Sequence, residues 1–192
     1  MPRKHAMRDP ERHLANEIRE QVRAQRARLT SDPDGDPLIW PIPGSLALAQ
    51  RPLRDHREHG RSGAPVPKHA GPLVVSWVRR VRNLGIQSII CLMHPKELAY
   101  YNGLEEMPEG LFRAYESAGF AISHIPWADP AHEPTPEAKE RVRNQIHEIK
   151  LDAYSAYHSL RKPVVLQCSA GIDRSSPVAA YIVLHERHES GA

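Results

Sequence analysis

The sequence predicts an α/β domain built on a mostly parallel central sheet with helices on both faces. Three observations predict it. Short apolar runs occur at residues 86–92, 120–125 and 163–166, of a length and composition suited to buried strands. Between them lie segments with apolar residues at helical spacing, such as Leu73, Trp77, Val78, Val81 and Leu84. Strands that alternate with helices pair in parallel through crossovers, and the helices then cover both faces.

The elements follow in order. Residues 1–37 read as a basic helical arm and linker. Leu14, Ile18, Val22 and Leu29 make a thin apolar stripe among Arg12, Arg19, Arg23, Arg26 and Arg28. Ser31-Asp32-Pro33-Asp34-Gly35-Asp36-Pro37 is turn chemistry and ends the helix. The arm is expected to lie against the domain or a partner subunit. The alternative is an arm that contacts an acidic partner, a membrane surface or RNA. The domain proper spans residues 38–192. Residues 39–44 and 45–49 are its entry strands, and Pro41 and Pro43 confine the first to an edge. Residues 51–71 form an irregular basic insertion. Its His56, His59 and His69 lack a metal-ligand pattern and are read as solvated loop residues.

The amphipathic helix from Leu73 stops at Gly85. Residues 86–92 form a strand apolar on both faces. Leu111, Phe112, Tyr115 and Ala118 mark a short helix ending at Gly119, and residues 120–125 form the next strand. Thr135-Pro136 caps a long helix with Val142, Ile146, Ile149, Ala153, Tyr157 and Leu160 on its core face. Residues 163–166 are the last strand, and a helix over 177–185 follows. No repeat or low-complexity tract interrupts this order.

Bulk properties restrict the function. The chain has 192 residues and a net charge of +3, with a pI of about 9.0. That length supports one domain with a sound core. The charge favours acidic partners only mildly and does not by itself argue for nucleic acid. Two cysteines, Cys91 and Cys168, make no disulfide framework and suit a reducing compartment. No apolar run approaches spanning length, and the first residues lack the apolar core of a signal peptide. A cytoplasmic location is the expectation. No metal or cofactor is expected.

The chemistry concentrates after the last strand, in Gln167-Cys168-Ser169-Ala170-Gly171-Ile172-Asp173-Arg174-Ser175-Ser176. A strand delivers a cysteine to the rim of the sheet. A short loop with a glycine turns its N–H groups inward, and a helix start points its positive dipole end at the same spot. Such a field favours thiolate over thiol. Arginine can grip two oxygens of a phosphoryl group.

These residues resemble the Cys-x5-Arg-Ser/Thr signature of the cysteine-dependent protein tyrosine phosphatases. Ile125-Pro126-Trp127-Ala128-Asp129-Pro130 resembles the Ile-Pro-x-x-Asp loop of their compact dual-specificity branch. Residues 84–92 resemble that branch's helix stop and central strand. The resemblance covers roughly residues 38–192, excludes the arm, and implies a phosphatase-like catalytic domain of that fold. It implies that Cys168 is the nucleophile, forming a phosphocysteine intermediate, and that Arg174 and the amides of Ser169, Ala170, Gly171, Ile172, Asp173 and Arg174 bind phosphate. It further implies that Asp129 is the general acid and base and that Ser175 supports the thiolate; His132 and Glu133, close by in the sequence, are the substitutes for the acid.

Two positions depart from the family pattern. Gln167 stands where the family usually has His, and is read as structural. Asp173 stands where many members have Gly. It either fixes Arg174 or the Trp127 loop, or binds a substrate hydroxyl. The implied activity is hydrolysis of a phosphomonoester, on a phosphorylated protein or a small molecule. A non-protein substrate (phosphoinositide, nucleotide or RNA 5′-phosphate) and a phosphate-binding module without turnover are the alternatives. Sulfur-transfer or arsenate-reducing chemistry is a more distant one. Cys91, on the strand beside the nucleophile loop, is a candidate partner for a reversible disulfide with Cys168.

Overall fold

Residues 9–60, 63–189 and 191 are described, in a computed structural model. The first helix, α1 (Pro10–Ser31), is capped by Asp9, whose carboxylate accepts the Glu11 N–H at 3.1 Å. Ala15, Ile18, Val22, Gln25 and Leu29 form its buried stripe, with Leu14 partly buried at the margin. That stripe packs along the last helix, α7 (Ser175–Glu189). The helical arm therefore lies on the domain and shares its core.

Five strands form one mixed sheet: β1 (Ile39–Ile42), β2 (Leu46–Gln50), β3 (Ser88–Cys91), β4 (Ala121–His124) and β5 (Val164–Cys168). Their order is β1-β2-β5-β3-β4. Only β1 and β2 pair antiparallel; β2–β5, β5–β3 and β3–β4 are parallel. Pro41 sits in the edge strand, where its missing N–H costs no ladder bond.

Alternation along the strands builds two cores. Leu46, Leu48, Ile90, Leu92, Val164, Leu166 and Cys168 face one way and pack with α1, α6 (Ile146–Ser159) and α7. Ala47, Ala49, Ile89, Cys91 and Val165 face the other, against α2 (Gly71–Asn83) and α4 (Leu111–Ser117). Helices thus cover both faces, as the pattern predicts. In α2 the buried face is Val74, Trp77, Val78 and Val81, whereas Leu84 is exposed beyond the helix end. Gly85 follows in the left-handed region at φ +92°, which ends the helix.

The long helix expected over residues 136–160 is two helices, α5 (Pro136–Asn144) and α6. Arg143, Asn144 and Gln145 are exposed, so no packing holds the ladder there, and asparagine is a weak helix former. The indole N–H of Trp127 donates to the Val142 carbonyl at 2.9 Å. An unbroken helix would have paired that carbonyl with the Ile146 N–H. Among the described residues, no helix is long and apolar enough to cross a membrane.

The order of the strands fixes the site. β5 lies between β2 and β3, and all three run the same way, so their carboxyl ends share one edge. Cα partners Gln50 and Cys168 stand side by side there. The crevice beyond carboxyl strand ends is where α/β sheets bind ligands.

Candidate anion site at the end of the central strand

Cys168 is the last residue of β5 and is 1% exposed. Its sulfur accepts the Gly171 N–H at 3.1 Å. Residues 169–174 loop over to α7, whose start is set by the Ser176 N–H donating to the Ile172 carbonyl at 3.2 Å. Gly171 has φ +73°, and a Cβ there would meet Val22 of α1 at 3.3 Å. Gly171→Ala should therefore cost about 1–2 kcal/mol from the backbone alone and loosen the loop. Thermal unfolding checks the first effect and anion affinity the second.

Among the described residues, no protein acceptor takes the backbone N–H of Ser169, Ala170, Ile172, Asp173 or Arg174. Five such donors in one short loop are left to water or to an oxyanion. α7 adds its positive end.

Arg174 is 1% exposed, and its guanidinium is heavily bonded. Nη1 donates to Glu97 Oε2 (2.7 Å), to the Trp127 carbonyl (2.7 Å) and to the Leu92 carbonyl (3.2 Å). Nη2 donates to Glu97 Oε1 at 2.6 Å. None of these contacts uses Nε. Burial opposes the charge of Arg174, but the Glu97 bonds outweigh it and hold its pKa above the ordinary arginine value. Burial would raise Glu97 in turn; hydrogen bonds from Arg174 hold it below the usual carboxylate range. The fork expected to grip phosphate is thus taken by a carboxylate, because a buried guanidinium needs a compensating partner.

Glu97 carries no signal as a site residue in the sequence reading. It comes from α3 (Pro95–Leu98), a single turn opened by a capping box in which His94 Nδ1 takes the Lys96 N–H and Glu97 takes the His94 N–H. The His-Pro-Lys-Glu spacing resembles that box and is the trace that could have found it.

Asp129 caps a 3-10 turn at Pro130–His132. Its Oδ1 accepts the Ala131 N–H at 2.9 Å, and Oδ2 lies 4.0 Å from His132 Nδ1. It lines a cleft of about 320 Å³ together with His94, Glu97, Tyr100, His132 and Glu133. Trp127 ties this loop both to Arg174 and to α5, so the candidate acid and the anion loop share one rigid support.

Three expectations change. The Ser175 hydroxyl is fully buried without a hydrogen-bond partner, so it does not reach the sulfur, whose donor is Gly171. Asp173 turns outward, with its side chain 72% exposed and 3.8 Å from Arg19 Nε of α1. It fixes neither Arg174 nor the Trp127 loop. Cys91 pairs in register with Gln167, so Cys91 and Cys168 face opposite cores. Burial pushes the Cys91 thiol up to about 12, which further removes it from disulfide chemistry.

No family model, curated protein or solved structure matches the chain.

Gln167 is fully buried between two partners. Tyr115 donates to its Oε1 at 3.0 Å, and its Nε2 donates to the Gln50 carbonyl at 3.1 Å. It thus links β5 to β2 and α4 beneath the loop, the structural role its uncharged amide suits. Arg51 fastens the loop from the other side. Its N–H donates to the Ser169 carbonyl (3.0 Å) and its Nε to the Ser169 hydroxyl (3.3 Å).

Proposed function

We propose that this chain is a phosphomonoester hydrolase of the protein tyrosine phosphatase type, working through a phosphocysteine intermediate. The observation that carries the reading is the set of unpaired amides between Cys168 and Arg174, because they offer donors to a phosphoryl group that the protein itself leaves unmet.

Cys168 attacks phosphorus in line. The S–P bond forms as the ester P–O bond breaks, and Asp129 gives its proton to the leaving oxygen. Water then attacks the phosphocysteine, Asp129 takes the water proton, and the S–P bond breaks to return thiolate and phosphate. The loop amides and the helix end carry the charge on the equatorial oxygens in both steps, the dominant contribution in phosphoryl transfer. Arg174, paired with Glu97, anchors the end of the loop.

A second reading, a phosphate-binding module without turnover, is favoured by one observation: Cys168 and Arg174 are each only 1% exposed. Para-nitrophenyl phosphate separates the two. The hydrolase reading expects steady release of para-nitrophenol by the wild type and none by Cys168→Ser. Equal rates for the two would remove the covalent mechanism, and no release by either, with phosphate still bound, would leave the binding module.

A further inference from the structure

A second cluster of chemically active side chains lies at the far end of the fold. α6 runs down to the start of β5, and α7 runs back from the end of β5, so the two helices finish side by side. That point is roughly 20 Å along α7 from the Cys168 loop. His158 is in the last turn of α6. Glu186 and Glu189 are in the last turn of α7, three residues apart on one face. Each of the three offers a ligand atom, and these atoms all lie within 4.8 Å of one another. His158 Nε2 is 3.0 Å from Glu186 Oε1. Tetrahedral zinc, with bonds of about 2.0–2.1 Å, spaces its ligand atoms about 3.4 Å apart, so small side-chain rotations close the set.

Helix stability alone does not favour this arrangement. Like charges one turn apart repel. Carboxylates in a last turn also oppose the negative end of the helix dipole, and α6 brings its own negative end to the same place. Arg187 and His188, the bases of that turn of α7, lie off the face that the two carboxylates share. A divalent cation among His158, Glu186 and Glu189 turns each of these repulsions into an attraction. Tyr154 of α6 gives the set its outer support. Its hydroxyl donates to Glu189 Oε1 at 2.8 Å, and its ring meets the His158 ring edge-on, with centroids 4.5 Å apart. Partners of this kind hold metal ligands in orientation. His158 and Glu189 are exposed, which leaves room for water as a fourth ligand.

We propose that His158, Glu186 and Glu189 bind one zinc ion, with water in the fourth position. An imidazole beside two carboxylates suits zinc better than magnesium or calcium, which take oxygen ligands. The ion clips the end of α6 to the end of α7 behind β5. It is a structural site, remote from Cys168 and independent of the hydrolase reading. The sequence shows no ligand spacing for it, because the imidazole and the carboxylates come from different helices.

The test titrates zinc chloride into the full chain, free of any affinity tag and first stripped with chelator. The chain carries Cys168→Ser, which removes that thiolate as a competing ligand. Calorimetry should show one zinc bound per chain, and the melting temperature should rise as zinc is added. Tyr154→Phe should weaken that binding about tenfold, as loss of an outer partner does, and His158→Ala should weaken it by more than about a hundredfold. Cobalt(II) in place of zinc should give the intense visible absorption of a tetrahedral centre in the parent chain, and His158→Ala should lose it. Glu186→Gln gives the same readouts if His158→Ala fails to fold. No zinc bound by the parent, or equal affinity in a folded His158→Ala, overturns the site and leaves a surface ion pair. Binding of calcium in preference to zinc overturns the assignment of His158 as a ligand.

Discussion

Glu97→Ala should unfold the protein more readily by roughly 3–5 kcal/mol, because it leaves the Arg174 guanidinium buried and uncompensated. In a chain of this size that corresponds to a fall in Tm of very roughly 10 °C. The cause is specific. Arg174 keeps two carbonyl acceptors, Trp127 and Leu92, but both are neutral and both use Nη1. Nη2 loses its one bonded partner among the described residues. Glu97→Gln should cost less, since the amide oxygen still accepts one bond. A loss below about 1 kcal/mol for Glu97→Ala would mean that the carbonyls alone hold Arg174. Melting followed by circular dichroism reads this without reference to any activity, so the structural account stands or falls independently of the proposed chemistry.

Asp129→Ala should lower turnover of an alkyl phosphate by about 10²–10⁴, the usual worth of a positioned general acid. The fold should hardly change, because among the described residues the side chain of Asp129 meets only its own turn, at the Ala131 N–H and His132, and is partly exposed. The effect should shrink on para-nitrophenyl phosphate, whose leaving group needs little help from a proton. That contrast distinguishes an acid from a residue that merely shapes the turn. Equal losses on both substrates would assign Asp129 a structural part. Unchanged turnover on the alkyl ester would shift the search to His132 and Glu133, which line the same cleft.

The sequence is most legible where local rules and burial agree. The all-apolar run before Cys168 is a central strand, Gly85 and Gly119 end helices, and Pro41 marks the edge. The anion loop is legible because its parts are contiguous. The rest of the site is assembled across the fold. Glu97 meets Arg174 from a single-turn helix too short to show a period. Gln167 declares its role only once Tyr115 and Gln50 are seen on either side. The break at Gln145 depends on Trp127 taking a carbonyl, which no helical pattern records.

Asp173 and α1 teach the same lesson. Beside Arg174, Asp173 reads as a liability for a phosphate dianion. In the fold it points to Arg19, on a helix far away in the chain. Nor does the sequence show that Arg26 of the arm is locked to the half-buried Asp55. Long-range ion pairs of this kind leave no periodic trace. They also convert an apparent appendage into a wall of the candidate site.

The central claim is that Cys168 carries the phosphoryl group during turnover. The most direct measurement quenches the enzyme with denaturant at alkaline pH while it hydrolyses radiolabelled para-nitrophenyl phosphate, then digests it and locates the label. The account predicts label that survives alkali and is lost in mild acid on the peptide that contains Cys168, and its absence in Cys168→Ser. Turnover with no label, or with label on a peptide lacking Cys168, would contradict it.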